Sequence, residues 1–172
     1  MKTIGLYNGK MLPEFVFNAR IDNCLFYELN LIFDDEFIIP FREFLVSKNI
    51  LSITVKNLVP ELFTFEEEVL LKNFESSFKD ATCNETKQDY IDAPVSLYMM
   101  VEQGLIFSKQ DEEFCIFLDR ELWIAIIALK NVADKKYFNE LTSINFIEYF
   151  NQTLGDLPGY ADFGGRLKSN WI

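Results

Sequence analysis

The sequence predicts a single α+β domain over residues 1–172, a mainly antiparallel sheet with two to three packed helices, and a Gly- and aromatic-rich tail at 155–172. Three observations carry this. Strand-like and helix-like periodicities alternate in blocks along the chain, without the regular βα alternation of a parallel sheet. The 172 residues are 49% apolar and include 18 Phe, enough to drive one sizeable core. No linker or internal repeat divides them.

Taken in order, residues 3–7 (TIGLY) read as a first strand, and Asn8-Gly9 as a turn favouring positive φ. A second β-like run covers 15–21. In the stretch 24–33 (CLFYELNLIF), Leu25, Tyr27, Leu29 and Leu31 share one face, which predicts a strand with that face buried. Asp34-Asp35-Glu36 interrupts the apolar pattern and 37–41 resumes it. The pair is predicted as a hairpin with the acidic triplet at its tip, and Pro40 assigns the second arm to an edge. Residues 42–49 are short helix or irregular, and 50–55 (ILSITV) is a β-branched strand.

Between 61 and 80, Leu62, Phe63, Phe65, Val69, Leu70, Phe74 and Phe78 recur at three- and four-residue spacings. That predicts an amphipathic helix capped by Thr64, with Glu66, Glu67 and Glu68 in its first turn. Residues 81–92 read as a polar loop, and 94–103 as a second helix closed by Gly104. The segments 105–107 and 114–118 pair as a hairpin around 108–113. The run 122–129 fits strand or helix, and its three isoleucines weigh toward strand. Helical spacing returns over 137–154. In the tail, Tyr160, Phe163 and Trp171 are expected to dock on the body, since exposed aromatics at a terminus invite association.

The chemistry is narrowed mainly by what the composition lacks. There is no histidine, which excludes Ser–His–Asp and Cys–His catalysis and every metal site that needs imidazole. Cys24, Cys83 and Cys115 are too far apart for a paired-thiolate zinc site, and their odd number argues against a disulfide framework. Cys83 is the expected exposed thiol, and Cys24 and Cys115 the expected core residues. Neither a phosphate-binding glycine loop, a nucleophile elbow nor an EF-hand loop occurs. No cofactor or metal is predicted, and the chain is expected not to be an enzyme. Carboxylate-dependent catalysis stays open, without any pair singled out.

With 27 carboxylates against 16 Lys and Arg, the net charge is −11. Polyanions need clustered cations, so nucleic acid and anionic membrane surfaces are disfavoured partners, and a basic protein is favoured. The start of the chain has no apolar signal-like run, and the longest unbroken apolar run, Leu122–Leu129, is too short to span a bilayer, so a cytoplasmic location is expected.

Acidic groups interleave with aromatics in FDDEF (33–37) and QDEEF (110–114). In this overall character the chain resembles the small bacterial immunity proteins that neutralise toxic nucleases, including those of contact-dependent growth inhibition systems. The resemblance implies a binding protein without catalytic machinery that blocks a basic toxin domain. The carboxylates expected to meet the partner are Asp34, Asp35, Glu36, Asp111, Glu112, Glu113, Asp119 and Glu121, acting by electrostatic steering. The alternatives are a small-molecule-binding domain or carboxylate-dependent enzyme, and a structural or scaffold subunit.

Overall fold

A computed structural model describes residues 4–59, 66–70, 102–109, 112–153 and 160–171. The fold is α+β. Six strands form one antiparallel sheet: β1 (Cys24–Glu28), β2 (Ser52–Val59), β3 (Glu66–Leu70), β4 (Gln103–Phe107), β5 (Phe114–Asp119) and β6 (Ile124–Leu129). Their spatial order is β1-β6-β5-β4-β2-β3. Three α-helices accompany them among the described residues: α1 (Asp35–Ser47), α2 (Phe146–Thr153) and α3 (Ala161–Trp171). None of the described helices is long and apolar enough to cross a membrane.

The sheet is covered on both faces. Alternate residues of its central strands serve two separate cores. Phe114, Ile116 and Leu118 of β5, with Ala125, Ile127 and Leu129 of β6, pack beneath α1 and Phe138. Cys115, Phe117, Ile124, Ile126 and Ala128 pack on the other side against Tyr7, Phe17, Phe146, Phe150, Leu167 and Trp171. Every residue of β5 and β6 is therefore buried. A strand buried on both faces reads as an unbroken apolar run, and 122–129 is accordingly a strand from Ile124.

The predicted β4–β5 hairpin is present, with Phe107 opposite Cys115 and Leu105 opposite Phe117. Cys24 and Cys115 are both buried thiols, and burial pushes the Cys24 thiol up to about 12.

Several elements differ from the sequence reading. Residues 34–47 are a helix start and a helix, not a hairpin tip and an edge strand. Asp34 is the N-cap, its Oδ1 accepting the Glu36 N–H at 3.1 Å, and Asp35 and Glu36 fill the first turn. Phe37, Ile38, Phe41, Phe44 and Leu45 form its buried stripe. The strand predicted over 24–33 ends at Glu28, and Leu29–Phe33 is a 3-10 turn.

Glu66–Leu70 is a strand, not the first turns of a helix. It pairs with β2 from Lys56 opposite Glu66 to Ser52 opposite Leu70, with Lys56 Nζ 2.9 Å from Glu66 Oε2. The rest of the predicted 61–80 helix, Thr64, Cys83 and the 81–92 loop lie outside the described residues. So does the predicted second helix up to 101, while Gln103 and Gly104 belong to β4.

Of the predicted strands at 3–7 and 15–21, the described residues make isolated bridges, Ile4 with Tyr7 and Tyr7 with Phe17, and Ile21 opens a 3-10 turn at Ile21–Asn23. Among the described residues of the helix predicted over 137–154, Phe146–Thr153 is helical, and a 3-10 turn at Val132–Phe138 precedes it.

The described part of the tail docks as expected, with Ala161–Trp171 as a helix. Trp171 is buried and donates its indole N–H to the Pro13 carbonyl at 3.2 Å. Gly164 and Gly165 hid that helix from a propensity reading, and Gly164 has a packing reason. A Cβ there would lie 2.8 Å from Phe150 Cε1, whereas one at Gly165 meets nothing within 4 Å. Gly165→Ala is therefore expected to stabilise by up to about 1 kcal/mol, the helix-propensity gain. Gly164→Ala is expected to cost about 1–3 kcal/mol through overpacking. Urea unfolding of the two variants measures both, and equal effects would show that the Phe150 contact sets nothing.

Candidate functional site

The eight carboxylates singled out from sequence do not form one surface. Residues 113 and 119 stand at opposite ends of β5, roughly 20 Å apart at 3.4 Å per residue. Asp111 lies outside the described residues. Glu112 is exposed, with a positive φ of 48°, and borders a small cleft of about 230 Å³ shared with Lys56, Glu66 and Lys109.

Glu113 is engaged within the fold. Its Oε1 is 3.0 Å from Lys130 Nζ and its Oε2 is 3.3 Å from Lys48 Nζ. Lys48 also sits 2.7 Å from Asp134. Burial works to raise the Glu113 carboxyl, but the Lys130 and Lys48 ammonium groups outweigh it and hold it below the usual range. This network ties the end of α1 to the β4–β5 loop and to the 132–138 turn.

Asp119 is interior, only 1% exposed. Its Oδ1 accepts the Leu122 N–H at 3.0 Å and its Oδ2 accepts Gln103 Nε2 at 2.7 Å. It builds the β5–β6 turn and is not available to a partner. That turn holds Trp123 at φ 54° and 46% exposed, a conformation costly for a bulky residue. Glu121 is exposed and accepts a hydrogen bond from the Tyr160 hydroxyl.

Asp35 and Glu36 lie at a groove. Both are exposed on the first turn of α1, and they border an open groove of about 690 Å³ between α1 and residues 136–141. Two further carboxylates complete its acidic character, Glu43 from α1 and Glu140 from the opposite wall. Ile39, Pro40, Tyr137 and Leu141 supply apolar surface, with Ile39 58% exposed. Lys136 is the cation lining it. Glu36 and Glu43 are seven residues apart, two helical turns, and so share a face of α1.

Glu43 was missed from sequence because 37–41 read as a strand, which hides its seven-residue relation to Glu36, and Glu140 because only the packing of the 132–138 turn on α1 brings it there. The signal was present: Asp34-Asp35-Glu36 ahead of apolar residues at 37, 38, 41, 44 and 45 is a helix-start pattern.

Exposed apolar groups concentrate around this side. Among the described residues the large exposed hydrophobics are Ile39, Val46, Leu51, Trp123 and Val132, and all but Trp123 belong to α1, the turn after it or the 132–138 turn packed on it. The arrangement offers a non-polar floor ringed by negative charge. It suits adhesion to a cationic surface, and among the described residues no group of His, Cys, Asp and Glu is placed to hold a metal ion. Comparison with known proteins adds no family: no family model matches the chain, and no curated protein or solved structure is significantly similar to it.

Proposed function

We propose that the chain is an acidic protein-binding domain of the cytosol, an immunity-type inhibitor that binds and neutralises a basic toxin domain. The observation that supports this best is the α1 groove, where Asp35, Glu36, Glu43 and Glu140 surround exposed Ile39 on a chain of net charge −11. Long-range attraction accelerates encounter with a cationic partner, and the apolar floor supplies short-range adhesion once water is displaced. Lysines and arginines that grip a toxin's substrate are paired by these carboxylates and withdrawn from use. Glu113 and Asp119, engaged within the fold, are left out of the proposed surface, which centres on the α1 groove.

The small-molecule reading has one observation in its favour. A cavity of about 390 Å³ lies at the end of the β4–β5 pair, where Glu102, Gln103, Arg120 and Glu121 converge beside Val59. Polar groups converging on a cavity of that size suit a small ligand.

Capture of the tagged chain from its native cell, followed by stopped-flow binding of the recovered partner, separates the two. A basic partner is expected, with an on-rate at least tenfold slower at roughly 0.5 M salt than at 0.05 M, because exposed charges are screened within about 8–10 Å near physiological ionic strength. Neutralising Asp35, Glu36, Glu43 and Glu140 together should flatten that salt dependence. An on-rate indifferent to salt sinks the steering role, and saturable turnover of a small molecule that survives the neutralised groove points to the 390 Å³ cavity.

A further inference from the structure

The α1 groove contains more than a ring of charge. Pro40 lies inside α1 and lines the groove together with Glu36. Proline has no N–H, so the Glu36 carbonyl does not receive the usual i+4 helical hydrogen bond. On the opposite wall, Lys136 Nζ lies over the Tyr137 ring, 5.1 Å from its centroid. Phe44 meets the same ring edge-on at 5.8 Å. The groove thus already holds one cation on an aromatic face, supplied by the chain itself.

Resting on the protein-binding reading above, we propose that this groove receives an arginine side chain of the partner protein, presented beside an apolar side chain, and that Lys136 is its internal stand-in. Arginine fits the chemistry better than lysine. Its guanidinium is planar and weakly hydrated, stacks on an aromatic ring, and carries five donors in a fork that suits carboxylates. The neighbouring apolar side chain seats on exposed Ile39 and half-buried Leu141, which line the same groove. Lys136 is exposed and makes its ring contact without leaving solvent, so an incoming guanidinium displaces it at small cost. Its positive charge opposes the arriving one, which makes Lys136 a brake on affinity.

The test uses the full chain and labelled twelve-residue peptides bearing two Leu-Arg pairs. Matched versions replace Arg by citrulline, Arg by Lys, or Leu by Ser. The Leu-Arg peptide should bind in the micromolar-to-millimolar range. Citrulline, which keeps the shape and removes the charge, should bind at least tenfold more weakly, and the Lys and Ser versions severalfold more weakly. Lys136→Gln should tighten Leu-Arg binding severalfold, whereas Glu36→Gln with Glu43→Gln should weaken it tenfold or more, all at unchanged melting temperature.

Citrulline or lysine binding as well as arginine overturns the inference, as does failure of Lys136→Gln to tighten binding, or no binding of the Leu-Arg peptide at millimolar concentration. The partner reading fails separately, when the chain captures no basic protein. A captured basic partner that still binds the Glu36→Gln/Glu43→Gln chain at full strength leaves that reading intact and removes this one.

Discussion

Phe41→Ala is expected to destabilise the protein by about 3–5 kcal/mol, the cost of emptying a buried aromatic site. Phe41 is fully buried on α1. Its ring stacks on Phe37 at 5.1 Å, meets Phe114 of β5 edge-on at 5.1 Å and lies 6.3 Å from Phe44. Removing it leaves a void between the helix and the centre of the sheet that three rigid rings cannot close. For a chain of this length the loss corresponds to a fall in Tm of roughly 6–20 °C. Urea unfolding of Phe41→Ala against Phe41→Leu, which retains much of the volume and should lose less, gives the test. A loss under 1 kcal/mol in the alanine variant would mean that α1 does not pack through this residue. The groove depends on the same contact, since α1 forms one of its walls.

Asp119→Ala should cost about 2–4 kcal/mol, because the Leu122 N–H and the Gln103 amide are both left without their buried acceptor. Asp119→Asn is expected to behave oppositely. Asparagine keeps an oxygen for the Leu122 N–H, and Gln103 can turn its amide to present oxygen to the new NH2. The charge, which burial penalises, is gone.

Burial is the main reason that the Asp119 carboxyl titrates above its ordinary 3.8, with the nearby Glu121 charge adding to it and the hydrogen bonds from Leu122 and Gln103 opposing it. Between 3.8 and the raised value the folded state holds the extra proton, so stability from this group falls as pH rises through that window. Above the raised value the wild type carries the full penalty, and below 3.8 it carries none. The stability advantage of Asp119→Asn over the wild type should therefore be largest above the raised value and shrink as pH falls through it toward 3.8. Glu113, held low by Lys130 and Lys48, loses its contribution on acidification in both proteins and cancels in the comparison. An Asn advantage that does not change with pH would place the cost elsewhere than on the buried charge.

Much of the fold was legible because some local patterns have one solution. The β4–β5 hairpin was readable from two short apolar runs around a polar hexapeptide, and its arms pair as expected. Cys24 and Cys115 sit in apolar surroundings and are buried, as small apolar residues usually are. Tyr160, Phe163 and Trp171 dock through Phe150, Phe15, Phe26 and Phe146. In each case the immediate neighbours in sequence carried the information.

The candidate site was only half legible. Asp35 and Glu36 stood out as charge, but Pro40 argued against the helix that unites them with Glu43, because proline removes a helical hydrogen bond. The core contacts of Phe37, Phe41 and Phe44 override that loss. Glu140 joins the site only because the 132–138 turn packs on α1, a contact nearly a hundred residues away along the chain. Asp119 looked like a surface acid between two apolar runs, and only the partner strand bearing Gln103 makes it an interior one.

Residues 66–70 mark the boundary between the two kinds of information. Their spacing suits a helix, yet the edge of β2 offers a full ladder of backbone partners, and Lys56 and Ser52 receive Glu66 and Glu68. Composition and local period thus determine the α+β class, the central hairpin, the buried cysteines and the acidic, aromatic character of this chain. Which carboxylates are spent on the fold and which stay at the α1 groove depends on contacts between distant segments, because burial and ion pairing are properties of where a side chain ends up and not of its neighbours in sequence.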